Sequence, residues 1–234
     1  GLVIRASRMN LEIQPLGEWT LGQPLRVRTG GSVAISTLLR RAAAEGWGGL
    51  ELLTGIPGSV GGAVTMNAGT HLGEAKDRLK RVEVVPLLED AAVPRTFESE
   101  EFIFEYRRNL FLPCNGVIWS AEWEVRADDP ARVKASIDET LARRKATQPV
   151  DYPSCGSVFK NPRARGMHAW QVIDQLGLRG HRIGGAQFAD KHSNFIINLG
   201  GAKAVDVKAL IDLAKARAHS ELGVELEEEV MYLG

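Results

Sequence analysis

The stretch that decides the fold is GIPGSVGGAVTMNAG, residues 55–69, in which five of fifteen residues are glycine. Glycine allows the backbone to take positive φ angles and to come close to a ligand. Successive backbone N–H groups in such turns also form concavities that bind anions. The composition therefore indicates either a site for a diphosphate or a flavin edge, or a tight structural loop between two strands.

The same stretch does not match two common nucleotide-binding patterns. It has no Gly-x-Gly-x-x-Gly that opens a helix after a strand, which is the dinucleotide-binding fingerprint. No Gly-Lys-Ser or Gly-Lys-Thr follows it, as a P-loop requires. Composition and spacing alone leave the choice between a ligand site and a structural loop open.

The rest of the chain has the composition of a globular protein. Of its 234 residues 44% are hydrophobic and 25% are charged, and the formal net charge is zero. This balance is atypical of nucleic-acid binding. Cys114 and Cys155 are too few for a disulfide framework and lack metal-ligand spacing. With no signal peptide and no run near the roughly 18 apolar residues of a membrane helix, we expect a cytoplasmic monomer without metal, membrane or nucleic-acid partners.

Apolar periodicity predicts alternating strands and helices. One helix is expected from the spacing of Ile35, Leu38, Leu39 and Ala42, with Ser32 as N-cap and Gly46 as its stop. A second begins at Pro130 and buries Val133, Ile137 and Leu141. Strands are expected at 26–29, 81–85, 117–125, 194–198 and 224–233.

The C-terminal third carries two further helical patterns. Trp170, Ile173 and Leu176 predict a short helix that ends at Gly177. The apolar stripe from Val207 to Ala218 predicts a longer helix that is stopped by Gly223. Because Pro149 and Pro153 cannot continue a helix, we place a domain boundary between residues 147 and 148. Strands and helices without a strict βαβ rhythm favour an α+β fold.

Met-Asn-Ala-Gly at 66–69, followed by Glu74, makes the glycine-rich stretch resemble the flavin-contacting loop of the MurB reductases. The resemblance implies an FAD-binding domain of the vanillyl-alcohol-oxidase/PCMH-like type at 1–147. It also implies a smaller α+β substrate-binding domain at 148–234. The FAD contacts that it implies are Gly55, Ile56, Pro57, Gly58, Ser59, Gly61, Gly62, Ala63, Asn67, Ala68 and Gly69.

A second motif, Tyr-Arg-Arg-Asn at 106–109, is similar to the family's Tyr-Arg-x-Ser. The match implies that Arg107 is a catalytic residue, and a forked, always-charged guanidinium suits a carboxylate substrate or developing negative charge. Asn109 stands where the family has serine, which leaves the role of that position open. Without the resemblance, a lone arginine would be interpreted as a surface residue.

A third motif, Gly-Ser-Val-Phe-Lys-Asn-Pro at 156–162, resembles the family's Gly-Ser-x-Phe-x-Asn-Pro. It implies that Ser157 donates a proton to the substrate, and that Lys160 and Asn161 contact the sugar nucleotide. His192 and Asn194 fall in a further stretch that follows the family's substrate-domain pattern, and are expected to be substrate contacts. From the residues alone, Ser157 and Asn161 would be turn residues before a proline.

The ending Leu-Glu-Glu-Glu-Val at 226–230 resembles the family's Leu-Glu-Pro-Glu-Val, with Glu228 in place of proline. The alignment implies that Glu229 is the catalytic carboxylate. In a strand Glu227 shares a face with Glu229, so Glu227 is the next candidate. A solvated acidic strand is the alternative without the resemblance.

Two features depart from the family. MurB enzymes begin with a subdomain whose Gly-Ser-Asn loop holds the FAD diphosphate, whereas this chain begins in a strand pattern at Gly1, without methionine. We therefore expect either a truncated sequence or a chain that holds FAD weakly by itself. The short connection between Phe111 and Pro130 places the chain with the subclass that lacks an extra tyrosine-bearing loop.

The resemblance implies NADPH-dependent, FAD-mediated reduction of UDP-N-acetylglucosamine enolpyruvate to UDP-N-acetylmuramate in peptidoglycan synthesis. Arg107, Ser157 and Glu229 would form its catalytic set. Two alternatives stay open at this point. One is another FAD-dependent oxidase or dehydrogenase of the same fold class, which would need the glycine-rich stretch but not these three residues together. The other is a truncated relic without catalysis.

Overall fold

The computed structural model describes residues 9–87, 93–112, 116–162 and 166–232. The chain forms two compact units, the first ending at Ala142 and the second beginning at Arg143. Both mix helices with antiparallel strands, so the α+β fold class is confirmed. The domain boundary between 147 and 148 stays a prediction. Among the described residues, no helix is both long and apolar enough to cross a membrane.

The first unit is built on a six-stranded antiparallel sheet, on which its core is packed. Its longest strand, β10, pairs with β2 on one side and β6 on the other, and the outer strands are β1 and β7. Burial alternates along β2, so one face of this strand points into the core. On that face of the sheet, Trp123 donates a hydrogen bond to Thr29 Oγ1 at 2.8 Å. The strands are β1 (Ile13–Leu16), β2 (Pro24–Gly30), β3 (Trp47–Gly48), β6 (Leu79–Pro86), β7 (Arg95–Glu98) and β10 (Gly116–Ala127).

Helix α1 (Ile35–Glu45) buries the four residues that the periodicity selected. Gly46 ends it with φ of 68°, as predicted, and a Cβ there would lie 2.1 Å from the carbonyl oxygen of Asp128. Ser32 as N-cap is wrong. The N-cap is Ala34, without a side-chain hydrogen bond, and the helix start is held by the backbone of the glycine-rich segment through Ile35 N–H and Gly58 O at 3.0 Å.

Helix α3 (Pro130–Thr147) begins at the predicted proline and buries Val133 and Ile137. Leu141 is 38% exposed, so its predicted burial is wrong, and Thr140 is buried in its place. Leu141 instead lines a largely apolar cavity of about 620 Å³ between α1, α3 and residues 55–57.

The second unit has a four-stranded antiparallel sheet, in the order β11, β14, β13, β12, packed with helices α4 and α5. The predicted buried strand is confirmed as β14. The predicted short helix is confirmed as α4, although Trp170 on it is exposed. The elements are β11 (Ser154–Ser157), α4 (Ala169–Gln175), β12 (Arg182–Ile183), β13 (Ala186–Phe188), β14 (Phe195–Asn198) and α5 (Ala204–Arg217).

Helix α5 continues into a wider turn, Ala218–Leu222, which Gly223 ends with φ of 61°. The strand predicted at 224–233 is wrong over its described residues, 224–232. The described residues of this segment form no strand and make one bridge, between Glu228 and Phe159. Its alternating apolar residues Val224 and Leu226 pack into the core, which explains the strand-like pattern without a ladder of strand pairs.

Candidate functional site

The glycine-rich segment, residues 55–69, is not a simple loop between strands. Its first part is a turn with Gly55 at φ 73° and Gly58 at φ 118°, and its second part contains helix α2 (Val60–Thr65). Ser59 caps this helix by accepting a hydrogen bond from Gly62 N–H at 3.3 Å. Helical backbone occupies the middle of the segment, so it does not connect two strands as a tight loop.

The glycines of this segment divide into two groups. Gly61 and Gly69 permit close packing: a Cβ at Gly61 would lie 3.1 Å from Gly31 O, and one at Gly69 would lie 2.3 Å from Gly73 O. Gly55, Gly58 and Gly62 are exposed and present bare backbone. Side chains at these three positions would fill the surface that a flat ring system needs for approach, so the residues present fit the edge of a flavin.

The remaining predicted cofactor contacts have different surroundings. Pro57 is exposed, while Ile56, Ser59 and Ala68 are half-buried. Ala63 and Asn67 are buried, with their side chains inside the protein. A ligand could meet these last two positions only through the backbone.

Arg107 lies at the tip of a short hairpin formed by β8 (Phe104–Glu105) and β9 (Arg108–Asn109). Its φ is 55°, a left-handed conformation that costs a non-glycine residue about 1–2 kcal/mol. Phe102 and Phe104 pack around Phe111 at the base of the hairpin, with ring centroids 4.7 and 5.1 Å from it. Such left-handed residues cluster at functional sites, which supports a functional interpretation of Arg107.

The structure brings Arg107 against the end of the glycine-rich segment. Its Nη1 lies 3.4 Å from Asn67 O and 3.7 Å from Glu74 Oε1, and its Nη2 lies 3.5 Å from Gly69 O. These three contacts are long for hydrogen bonds. Asn109 ties the same hairpin to α2, because its Nδ2 donates to Thr65 O at 2.7 Å.

Asn67 and Glu74 form a polar cluster beside Arg107. Asn67 is fully buried with φ of 43°, and Arg107 is the other non-glycine residue with positive φ among the described residues. Asn67 Nδ2 donates to Glu74 Oε2 at 2.8 Å, and Asn67 Oδ1 accepts from Lys76 N–H at 3.1 Å. Sequence reasoning included Glu74 in the motif but assigned it no role. Its charge, five residues after the segment ends, was the available signal.

In the second unit, Ser157 is half-buried in β11 and pairs with Phe195 of β14. The strand is held in place by Asn194. The Asn194 Oδ1 accepts from Phe159 N–H at 3.0 Å, and its Nδ2 donates to Phe159 O at 2.9 Å. Asn194 is 4% exposed, so its carboxamide is occupied by the backbone that follows Ser157. It acts as a clamp on the serine motif, and the substrate contact expected of it stays a prediction.

Lys160 and Asn161 also take part in local structure. Lys160 N–H donates to Glu227 O at 2.8 Å, and its Nζ pairs with the Glu227 carboxylate. Asn161 Oδ1 accepts from Ala169 N–H at 3.1 Å, at the first residue of α4. Both side chains belong to the serine motif, and their contact with a sugar nucleotide stays a prediction.

The C-terminal segment, residues 224–232, runs along the serine motif. Glu229 is half-buried, and its N–H donates to Val158 O at 2.8 Å. Glu228 is paired with Lys215 at 2.7 Å, and this hydrogen bond holds the pKa of the Glu228 carboxyl below its usual range. Glu227 has a 69% exposed side chain. The three glutamates therefore differ in surroundings, and Glu229 adjoins the backbone that follows Ser157.

His192 is half-buried, with its ring 5.0 Å from that of Phe195 in an edge-on arrangement. Burial, more than the nearby Arg179, lowers the pKa of the imidazole. Its Nδ1 is buried without a hydrogen-bond partner among the described residues. The substrate contact expected of His192 stays a prediction.

Cys155 precedes the serine motif by one residue and is exposed. It lines a cavity of about 440 Å³ together with residues of β14, α5 and the C-terminal segment. Cys114 lies outside the described residues.

Comparison with protein families matches both units. Residues 148–233 match the family described as UDP-N-acetylenolpyruvoylglucosamine reductase, C-terminal domain. Residues 1–87 match the family described as FAD binding domain. The FAD-binding domain expected from the glycine-rich segment is therefore confirmed.

Individual relatives agree. The UDP-N-acetylenolpyruvoylglucosamine reductase of Heliobacterium modesticaldum is 40% identical over 209 residues, which cover 89% of this chain and 65% of the relative. That of Gloeobacter violaceus is 39% identical, covering 90% of this chain and 69% of the relative. The crystal structure of UDP-N-acetylenolpyruvylglucosamine reductase (MurB) from Thermus caldophilus superposes with a TM-score of 0.75 at 38% identity, covering 88% of this chain and 72% of that chain. The chain spans slightly under two thirds of the length of several curated relatives that it matches.

Proposed function

The chain belongs to the MurB family of UDP-N-acetylenolpyruvoylglucosamine reductases, and on that premise we propose that the protein reduces UDP-N-acetylglucosamine enolpyruvate to UDP-N-acetylmuramate with FAD and NADPH. The observation that carries the proposal is the position of Arg107. A strained backbone directs its guanidinium to the end of the glycine-rich segment, where the flavin is expected.

FAD would be held by the exposed backbone of Gly55, Gly58 and Gly62 and, when bound, would supply the hydride that is added to C3 of the enolpyruvyl group. Addition at C3 leaves negative charge on C2 and on the adjacent carboxylate. Arg107 is the residue that we assign to this charge, since a forked cation binds a carboxylate through two parallel hydrogen bonds. A carboxylate would bind the guanidinium more strongly than the carbonyl oxygens of Asn67 and Gly69 do, because those contacts are 3.4 and 3.5 Å long.

Ser157 is the residue that we assign to protonation of C2, which completes the reduction. A hydroxyl group is a weak acid. It therefore needs neighbouring groups that stabilise the alkoxide left after proton transfer or that return a proton to it. Glu229 is assigned to this assisting role.

The second unit would bind the sugar nucleotide through Lys160, Asn161 and His192, with Asn194 holding the serine motif in register. We further propose a cytoplasmic monomer without a membrane or nucleic-acid partner. This setting agrees with the neutral net charge and the free thiol of Cys155.

The test is Ser157→Ala in protein expressed from the complete reading frame, with Ser154→Ala of the same strand as the matched control. We expect Ser157→Ala to retain the 450 nm flavin band and its bleaching by NADPH, but to lose turnover of the enolpyruvyl nucleotide by roughly 10²–10⁴-fold. Ser154→Ala should turn over normally. Full kcat in Ser157→Ala would remove this assignment, and wild-type protein without flavin absorbance would overturn the function itself.

A further inference from the structure

The Glu74 carboxylate is surrounded by several hydrogen-bond donors. Its Oε2 lies 2.8 Å from Asn67 Nδ2 and 3.1 Å from Lys76 Nζ, and the carboxylate also accepts from the N–H of Asp77 in a reciprocal capping arrangement. Three donors from two segments therefore hold a carboxylate that is 24% exposed. A carboxylate restrained in this way is a fixed negative charge rather than a mobile surface group.

The backbone of Glu74 is equally constrained. It pairs with Gly69 across the short β4 (Gly69–Thr70) and β5 (Gly73–Glu74) ladder. A Cβ at Gly69 would lie 2.7 Å from the Glu74 Cα, so only glycine allows this approach. The last glycine of the glycine-rich segment thus sets the place of Glu74.

Arg107 faces this fixed charge, with Nη1 3.7 Å from Glu74 Oε1. Its guanidinium also faces the carbonyl oxygens of Asn67 and Gly69, at 3.4 and 3.5 Å. Arg107 can leave Glu74 for an anionic ligand without stranding the carboxylate, because Asn67, Lys76 and Asp77 still satisfy it. This is the arrangement expected of a counter-ion that orients a cation and then releases it.

We propose that Glu74 is a positioning residue that orients the Arg107 guanidinium toward the expected flavin site and yields it to the substrate's negative charge. The inference rests on the proposed function for the identity of that charge. Glu74 thereby gains a role beside Arg107. The contact between Asn67 and Arg107, the two non-glycine residues with positive φ among the described residues, becomes part of the same arrangement.

The first test needs no substrate. Phenylglyoxal modifies accessible guanidinium groups, and mass spectrometry gives the rate for each arginine. Because loss of the fixed charge frees the side chain, we expect Glu74→Gln to raise the modification rate of Arg107 severalfold. Glu105→Gln is the matched control, since it removes an exposed glutamate from the same hairpin. An unchanged rate at Arg107 in Glu74→Gln would overturn the proposal, whatever the protein catalyses.

The second test uses the full-length flavoprotein. Glu74→Gln should lower kcat for the enolpyruvyl nucleotide roughly tenfold through misorientation, without raising KM, because the freed cation still attracts an anion. In an Arg107→Lys background the same change should have little further effect on kcat. If the two losses multiply in full, Glu74 acts independently of Arg107 and the proposal is wrong. If Arg107→Lys itself keeps full kcat, it is the assigned role of Arg107 that fails.

Discussion

Two buried asparagines, one in each unit, organise their surroundings in different ways. Asn67 of the first unit adopts a left-handed backbone conformation, and its side chain supports a charged cluster of Glu74, Lys76 and Arg107. In the second unit, both the oxygen and the nitrogen of the Asn194 carboxamide form hydrogen bonds with the backbone of Phe159, 35 residues away. The first unit thus positions a guanidinium through local strain and charge. The second positions a hydroxyl group through the register of the strand that bears it.

The largest effect is expected from Asn194→Ala. It leaves the N–H and C=O of Phe159 buried without their partners, and each orphaned group costs about 1–3 kcal/mol. We expect the free energy of unfolding to fall by about 2–5 kcal/mol in urea titrations. Hydrogen exchange at the Phe159 amide should accelerate in the native state. Asn198→Ala, which removes a loop-capping carboxamide near the surface, is the control. Equal losses in the two variants would mean that Asn194 is no clamp.

Backbone strain at Arg107 can be measured by comparing glycine with alanine. Both substitutions remove the guanidinium, but only glycine takes φ of 55° without a steric penalty. We therefore expect Arg107→Gly to be more stable than Arg107→Ala by about 1 kcal/mol in thermal and urea unfolding. The same pair at Lys160 of the second unit should show the opposite order, since φ there is negative. If the glycine variant were the more stable one at both positions, or the less stable one at both, backbone strain would not distinguish the two units.

Gly62→Ala separates stability from ligand binding in the glycine-rich segment. The new Cβ would meet Ser59 Oγ at 3.7 Å, an ordinary contact, within a helix where alanine is favoured by about 1 kcal/mol. We expect the apoprotein to keep or raise its melting temperature, while the FAD content of the purified protein falls. Gly61→Ala, crowded by Gly31 O, should lower the melting temperature. Normal FAD content in Gly62→Ala would show that the exposed glycine face does not meet the flavin.

The smallest effect is expected from the ion pair between Glu228 and Lys215, whose side chains are 19% and 43% exposed. The pKa of Glu228 is lowered chiefly by its hydrogen bond to Lys215. The pair therefore stabilises the fold above the unfolded carboxyl pKa of about 4.3, and this stability is lost as the pH falls through the lower folded value. Lys215→Met should cost less than about 1 kcal/mol near pH 7, and the difference should shrink toward pH 3.

The matched control for this pair is Lys134→Met, which removes a more exposed ion pair from the first unit. We expect it to change the free energy of unfolding by a few tenths of a kcal/mol at most near pH 7. Tyr232 offers a second check, because burial and its hydrogen bond to Glu228 raise the pKa of the phenol to about 12. A Tyr232 titration near pH 10 in an ultraviolet titration would contradict the described contact with Glu228.

Several elements were predictable because their causes are local. Gly46 stops α1 since its φ of 68° lies in the left-handed region that favours glycine, and Pro130 starts α3 since its missing N–H costs nothing in a first turn. Ser32 and Leu141 were interpreted wrongly because their surroundings are made by distant residues. The backbone of Gly58 replaces a side-chain cap at α1, and a cavity beside Ile56 leaves Leu141 exposed.

The candidate site likewise divides into residues that local motifs identify and neighbours that only the fold brings to them. Arg107, Ser157 and Glu229 were identified by resemblance of short motifs, and their catalytic roles stay predictions. Hydrophobic periodicity could not predict which residues surround these three. Glu74 depends on a close approach to Gly69, and the C-terminal segment depends on a single bridge to Phe159 rather than on a strand pattern.

The sequence by itself determined the alternation of helices and strands, the glycine that stops α1, the proline that starts α3 and the motifs that resemble those of a flavin-dependent reductase. These follow from steric limits and from residue order, which act within a few positions of the chain. Tertiary structure alone decided that Asn194 clamps the serine motif, that Glu74 faces Arg107 and that Glu228 reaches Lys215. Each of these contacts joins segments that only the folded backbone brings within hydrogen-bonding or ion-pairing distance, so no local pattern records it.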